Sequence, residues 1–228
     1  PSLLRVAQVD YVKPEQMQSQ EFGYRGKLSR TFTVDAAVYR NDFQDFINTQ
    51  VVLSPLYGEV GDGGLSVLAM ANGDFETWSS YTNSPAEISS WGVSIGAQTK
   101  IFGNFDLSAN YTKSKLEFEQ SLYPDFRTNW NTPEHKIKAQ FGNTQLFENF
   151  GFNVAWRYWS EYLWQASFGD GMVPETHVID AQFNLTVPKW KSVIKVGATN
   201  LGGEEYFTAF GSGFIGTQYY ISWTANNF

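Results

Sequence analysis

Ile179-Asp180-Ala181-Gln182-Phe183-Asn184-Leu185-Thr186-Val187 alternates apolar and polar side chains at every step. Successive side chains of a β-strand point to opposite faces of its sheet, so this stretch reads as a strand with one oily face and one wet face. The same period of two recurs outward along the chain. Trp91, Val93, Ile95 and Ala97 alternate with Gly92, Ser94, Gly96 and Gln98; Phe105, Leu107, Ala109 and Tyr111 alternate with Asp106, Ser108, Asn110 and Thr112. It holds again at Phe32–Val38, Ile137–Phe141, Phe150–Tyr158 and Ile194–Ala198, and almost no stretch carries a helical period.

Nine strands are predicted, over about 17–27, 32–43, 88–100, 105–118, 135–142, 150–160, 177–187, 193–200 and 217–226. Several reach the ~9–11 residues that a tilted membrane-spanning strand needs. The connections at 28–31, 101–104, 143–149 and 188–192 are short, whereas those at 44–87, 119–134, 161–176 and 201–216 are long. Short and long alternate without exception, as in outer-membrane barrels with tight periplasmic turns and long extracellular loops. The rival architecture is a soluble β-sandwich. A sandwich would carry many Lys and Glu on its wet face; here that phase is mostly Gly, Ser, Asn, Gln and Thr, as suits a wet lumen wall. Aromatic residues also crowd strand ends, at Trp156, Tyr158, Trp159, Tyr162 and Trp164 and at Tyr219, Tyr220 and Trp223, where ring side chains meet lipid headgroups. The fold expected is therefore all-β, a transmembrane antiparallel β-barrel.

Composition agrees. Hydrophobic residues make up 42% of the 228 and charged ones 17%, below the ~25% of soluble domains. Aromatic content of 17% is too high for a disordered chain. The net charge of −7 and the lack of a Lys/Arg cluster argue against nucleic acid as a partner. There is no cysteine, which removes disulfides, thiolate metal sites and cysteine nucleophiles together. No catalytic or dinucleotide fingerprint occurs. His135 and His177 stand at strand starts without an acid or hydroxyl at nucleophile spacing, so neither an enzyme, a metal site nor a cofactor is expected.

An odd number of antiparallel strands leaves the first and last running the same way, so nine cannot close on themselves. Open edges in lipid would leave backbone groups unsatisfied at several kcal/mol each. Residues 1–228 are therefore expected to be the C-terminal portion of a larger, even-stranded barrel, with strands lacking on the N-terminal side and Phe228 at the periplasmic rim.

Several short stretches resemble the barrels of TonB-dependent outer-membrane receptors. Lys13-Pro14-Glu15, Ser19 and Glu21-Phe22-Gly23-Tyr24-Arg25-Gly26 are similar to a strand start of that family, and Tyr39–Ile47 to its next strand. Thr132-Pro133-Glu134-His135-Lys136 resembles a later strand start, and Gly197-Ala198-Thr199-Asn200-Leu201 with Glu204-Glu205-Tyr206 resembles the segment before the last strand. These elements fall in family order over nearly the whole chain, and the overall flavour is similar to receptors from Bacteroidetes. Gly202 departs, standing where members usually have an aromatic.

The resemblance implies a barrel of about 22 strands around a plug, of which these would be the last nine, with the plug domain and TonB-contacting box absent from this chain. It implies active uptake of a small nutrient bound from outside, energised by the TonB complex through that plug, with a surface lipoprotein as a further possible partner. Phe228 would then be the aromatic C-terminus read by the barrel-assembly machinery. A passive porin or a structural barrel subunit of a larger outer-membrane assembly is the alternative, and a secreted β-sandwich adhesin a third reading.

In such a barrel Glu21, Arg25, Asp35, Asp106, Lys136, Lys138, Arg157, Asp180 and Lys195 would face the lumen, contacting the plug or lining the route. Arg157 and Asp180 are the pair expected to meet the plug; the plainer reading of all nine is mutual ion pairing or hydration of the wall. In the long 44–87 connection Asp62, Asp74, Glu76, Trp78 and Tyr81 are candidates for holding an extracellular ligand or partner, as are Tyr206 and Phe210 in the last loop.

Overall fold

The computed structural model describes residues 10–59 and 64–225. Thirteen strands and one α-helix form in chain order: β1 (Gln16–Lys27), β2 (Thr33–Gln44), β3 (Ile47–Pro55), α1 (Leu65–Asn72), β4 (Phe75–Asn83), β5 (Ile88–Ile101), β6 (Phe105–Glu117), β7 (His135–Phe147), β8 (Phe150–Trp159), β9 (Tyr162–Ala166), β10 (Gly169–Val173), β11 (Thr176–Val187), β12 (Ser192–Thr199) and β13 (Gln218–Ala225). Nine of them build one antiparallel sheet in the order β1-β2-β5-β6-β7-β8-β11-β12-β13. These are the nine strands that alternation predicts, with ends shifted by a residue or two. The one longer shift is at β7, which runs on to Phe147 through a register irregularity after Asn143 and shortens the connection to β8.

The other four strands correct the sequence reading. The 44–87 and 161–176 connections are not irregular loops. β3 pairs with β4 from Ile47↔Asn83 to Pro55↔Phe75, with α1 at the tip, and β9 pairs with β10. Both hairpins lie outside the nine-stranded sheet and are packed among the loops, with most of β3 half-buried and Gln165 and Val173 buried, so the one-sided alternation that marks a wall strand is weak in them.

Register fixes the two faces of the sheet. Tyr24, Ala36, Ile95, Tyr111, Ile137, Tyr158 and His177 are consecutive cross-strand partners on one face. One residue along, Arg25, Asp35, Gly96, Asn110, Lys138 and Arg157 line the other. The oily face stays uncovered: Phe22 is 75% exposed and Ile221 76%. Leu107, Val154, Ile179, Phe183, Leu185 and Val196 on the same face are also exposed. Among the described residues no second protein layer covers these rows of large apolar side chains, which is the reverse of a sandwich.

Aromatic rings gather at both ends of that face. Near the short turns Phe105 stacks on Phe141 at 5.5 Å, Phe141 meets Phe152 at 5.7 Å and Phe150 meets Phe183 at 5.7 Å. Near the long loops His177 lies flat against Trp156 at 5.9 Å and tilted against Tyr158 at 4.8 Å, and Trp156 Nε1 donates to His177 Nδ1. The Tyr111 hydroxyl sits 2.8 Å from His135 Nδ1. Both histidines are thus rim residues in an aromatic belt. Six to eight residues separate the belts along a strand, about 20–26 Å at ~3.3 Å per residue, comparable with the ~25 Å band of an outer-membrane barrel. β1 and β13 run in the same direction at opposite ends of the sheet and do not pair with each other.

Candidate functional site

Register places Glu21, Arg25, Asp35, Asp106, Lys136, Lys138, Arg157, Asp180 and Lys195 on the face opposite the apolar rows. On β8 and β11, Arg157 grips Asp180 through two hydrogen bonds of 3.1 Å, Nε to Oδ2 and Nη2 to Oδ1. Asp180 Oδ1 also accepts the backbone N–H of Asn200 at 3.0 Å. A planar guanidinium fork suits a carboxylate, and the half-buried setting strengthens the pair. Arg25 and Asp35 form a looser contact of 3.5 Å between β1 and β2, and Lys100 meets Asp106 at 3.1 Å across the β5–β6 turn. Lys138 stands opposite Arg157 in register, Lys136 opposite Trp159, and Lys195 opposite Asn184 and Ser222. No carboxylate lies within ion-pair distance of these three lysines among the described residues, so they leave a basic stretch on the inner wall. Glu21 faces Tyr39.

Asn200, the asparagine of the segment before the last strand, sits at the hinge of the last loop. It is buried and left-handed, at φ 52°, a conformation asparagine tolerates better than most residues. Its Nδ2 donates to the Glu204 carbonyl at 3.0 Å, while Thr217 Oγ1 donates to its backbone carbonyl, so both ends of the 201–217 loop are tied to one residue. Two residues on, Gly202 takes φ 64°. That is the physical reason a glycine replaces the usual aromatic: a side chain with a Cβ would be strained there. Tyr206 is buried with its ring against Trp159 at 5.5 Å, and Phe210 stacks on Phe168 and presses on Gly171. Tyr162, on β9, donates to the Thr208 carbonyl at 2.7 Å, and burial raises its phenol above the ordinary value. Tyr206 and Phe210 therefore hold the last loop down on the inner wall and the β9–β10 hairpin.

In the long loop, Asp74 closes the β3–β4 tip by accepting from the Tyr57 hydroxyl at 3.0 Å. Glu76 and Trp78 share one face of that hairpin, with Trp78 exposed, and Tyr81 lies exposed on the other. Asp62 and Phe228 lie outside the described residues. The Lys13-Pro14-Glu15 stretch has a mechanical role: Lys13 and Asn83 exchange backbone and side-chain hydrogen bonds of 2.7 and 2.9 Å, and Glu15 accepts the Ile47 N–H at 2.8 Å. It clasps the foot of the β3–β4 hairpin.

Sequence reasoning missed the feature that joins the loops. Asn129 Nδ2 donates to Asn48 Oδ1 at 2.6 Å, and Asn48 Nδ2 donates to the Thr128 carbonyl at 2.8 Å. Gln165 Oε1 accepts the Asn129 N–H at 3.0 Å, the Gln165 N–H donates to Asn131 Oδ1 at 2.7 Å, and Asn131 Nδ2 donates to the Gln165 carbonyl at 3.0 Å. Arg127 donates to the Ala166 carbonyl at 2.7 Å and meets Asp170 at 3.4 Å. The β3–β4 hairpin, the 118–134 loop and the β9–β10 hairpin are thereby knotted into one cap. The available signal was Asn129-Trp130-Asn131, two asparagines that both adopt positive φ. Beside the knot opens a cleft of about 340 Å³ lined by Phe118, Trp130, Tyr162, Glu134, Glu161 and Gln165. Glu134 is hydrogen-bonded by Lys113 at 3.1 Å, which holds its carboxyl below the usual range.

A curved antiparallel wall with an uncovered oily face, two aromatic belts, a polar inner face and a loop cap at one end defines the class: a segment of a membrane-spanning β-barrel. The sequence profile described as "TonB dependent receptor-like, beta-barrel" matches residues 5–201, and the chain belongs to that family. No curated protein matches the sequence. Among solved structures it is similar to the FrpB iron transporter from Neisseria meningitidis, with 13% identity and TM-score 0.64 over 94% of this chain and 31% of that one. It is also similar to the siderophore receptor PirA from Acinetobacter baumannii (14% identity, TM-score 0.60, 93% and 32%) and to the copper transporter OprC (16%, 0.62, 87% and 27%). At such identities the likeness concerns the fold. The chain spans about three tenths of the length of these structures.

Proposed function

We propose that this chain supplies the last nine strands and the extracellular cap of an outer-membrane active transporter, and that a small nutrient bound at the cap passes along the inner wall. The observation that carries this reading is the knotted cap standing over a charged inner wall while the outer face stays bare for lipid. A purely structural barrel gains nothing from a lumen wall bearing Lys136, Lys138 and Lys195 beneath loops pinned at three points. In this account a plug belonging to the complete receptor lies against Arg157 and Asp180, and the TonB complex acts on that plug. A surface lipoprotein would meet the protein at the exposed β3–β4 tip around Trp78.

Uptake by cells carrying the full-length receptor, with and without working TonB, tests the reading. Nutrient accumulation that requires TonB, and that falls when residues 56–84 are deleted, is the expected result. Equal accumulation without TonB, together with steady ion conductance through the purified protein, would establish the passive porin instead.

A further inference from the structure

Charge is sorted between cap and wall. The four long connections, 44–87, 119–134, 161–176 and 201–216, hold fourteen Asp and Glu and one basic residue, Arg127; the rest of the chain holds nine acids against fifteen Lys and Arg. Arg127 is itself engaged by Asp170 and the Ala166 carbonyl. The cap is therefore far more acidic than the net charge of −7 implies, and the remainder is basic. A surface lined by one sign of charge concentrates the opposite sign and speeds its arrival, so the cap draws cations and repels anions.

The cleft beside the knot gives that field a destination. Trp130, Tyr162 and Phe118 are its aromatic wall. Trp130 is held between Asn129 and Asn131, two left-handed residues whose side chains are locked onto Asn48 and Gln165. Two carboxylates line the same cleft: Glu134, kept ionised by Lys113, and Glu161, exposed and without an ion-pair partner among the described residues. Aromatic faces beside carboxylates suit an ammonium or guanidinium carried on an apolar stem.

Two side-chain amides on the lining add an independent requirement. Gln165 is 8% exposed; its Oε1 accepts from the Asn129 N–H and the Thr128 hydroxyl, and its Nε2 has no partner among the described residues. Gln120 is the reverse: its Nε2 donates to the Tyr123 and Phe126 carbonyls, and its Oε1 has no partner among the described residues. One free donor and one free acceptor match a peptide unit, which offers one of each. A polyamine has no acceptor for Gln165, and a neutral sugar makes no use of the acidic field. Lys115 is the one cation on the lining.

We propose that this cleft binds a short basic peptide. A Lys or Arg side chain lies along Trp130 to reach Glu134 and Glu161, the backbone amide meets Gln120 and Gln165, and the terminal carboxylate meets Lys115. This rests on the nutrient-uptake reading and names its substrate class. Lys136, two residues along β7 from Glu134, repels the same cation from the inner wall, so the peptide is stopped at the cap until transport begins.

Calorimetric titration of the full-length receptor in lipid nanodiscs with trilysine, triglutamate, spermidine and maltotriose tests the site. Trilysine should bind about tenfold or more tighter than each of the other three. E134Q/E161Q and W130A should each lose about tenfold or more in trilysine affinity, while E204Q/E205Q, which removes the same charge elsewhere in the cap, should lose less than about threefold. Spermidine matching trilysine, maltotriose or triglutamate binding more tightly, or equal losses in the two double variants, overturns the site. Heat-modifiable migration of each variant shows that it is folded before titration. Uptake gives the separate readout. Trilysine bound by the purified receptor but accumulated equally with and without TonB defeats the transport reading alone. Nutrient accumulation that requires TonB, through a receptor indifferent to trilysine, defeats only the peptide site.

Discussion

Ala139 and Gln140 are neighbours along β7, yet they meet different solvents. Ala139 lies in a row with Ala109 and Trp156 on the outer face, and Gln140 in a row with Ser108 and Ala155 on the inner one. Among the described strand residues the outer face is apolar, aromatic at its two ends and charged only at Arg40, Asp42, Lys113, Lys115 and Glu117 near the long loops. The inner face is small, amide-rich and ion-paired. Contacts within the sheet are the same for both, so what separates them is the medium each face was selected to touch. The largest test of that difference is one charge moved by one residue. Ala139→Arg should cost about 2–4 kcal/mol of folding free energy in lipid vesicles, while Gln140→Arg should change it by less than ~0.5 kcal/mol. Equal effects in urea titrations would erase the distinction between the faces.

The inner face should itself divide into residues that hold the cap and residues that do not. Arg157→Gln leaves Asp180 half-buried without its cation and loosens the acceptor of the Asn200 N–H. A loss of about 1–2 kcal/mol is expected, with faster protease cutting within 201–217. Lys195→Gln, on the same face but without an ion-pair partner among the described residues, should leave both readouts unchanged. Similar cutting in the two variants would detach the Arg157–Asp180 pair from the loop.

How much of this was legible in the chain follows from the same contrast. Wall strands face two unlike media, so their sequence alternates, and all nine could be read to within a few residues. The β3–β4 and β9–β10 hairpins pack against other loops rather than between lipid and lumen, so Ile47–Pro55 and Gly169–Val173 carry no comparable rhythm. The lumen residues could be assigned to a face by alternation, but the Arg157–Asp180 pair could not be read, because β8 and β11 are joined through the β9–β10 hairpin rather than a tight turn that fixes their register. The cap knot could not, because Asn48, Asn129 and Gln165 meet across gaps of 81 and 36 residues. Amide side chains give no periodic sign of a partner so far away. Gly202 shows the opposite limit: its departure from the family pattern was visible, but the reason, a left-handed backbone, emerged only from the structure.

That glycine gives a smaller prediction. Gly202→Ala has open space around a new Cβ but must keep a positive φ, so about 1 kcal/mol should be lost by strain alone. An unchanged melting profile would mean that the loop relaxes at no cost.

The smallest effect concerns acidity at the outer rim. Lys113 lowers the Glu134 carboxyl, so the bound form is the charged one. Its contribution is complete above the ordinary carboxyl range, near pH ~4.3, and fades as pH falls through the lowered value. Because Glu134 is well exposed, solvent screening leaves at most a few tenths of a kcal/mol. Glu134→Gln should remove that acid-side slope and leave stability at pH 7 nearly unchanged; a slope that persists would assign it to another carboxylate.

Residues 1–228 contain no cysteine, so, with any cysteine elsewhere in the full-length receptor replaced, the central claim can be read one position at a time. Single cysteines placed from 179 to 185 on β11, in the full-length receptor in native outer membranes, can be challenged with a water-soluble maleimide. The account predicts that Ile179→Cys, Ala181→Cys, Phe183→Cys and Leu185→Cys resist the reagent and are quenched by brominated lipid, while Asp180→Cys, Gln182→Cys and Asn184→Cys react from the lumen. Equal labelling in both phases, or protection of the even positions instead, would contradict it.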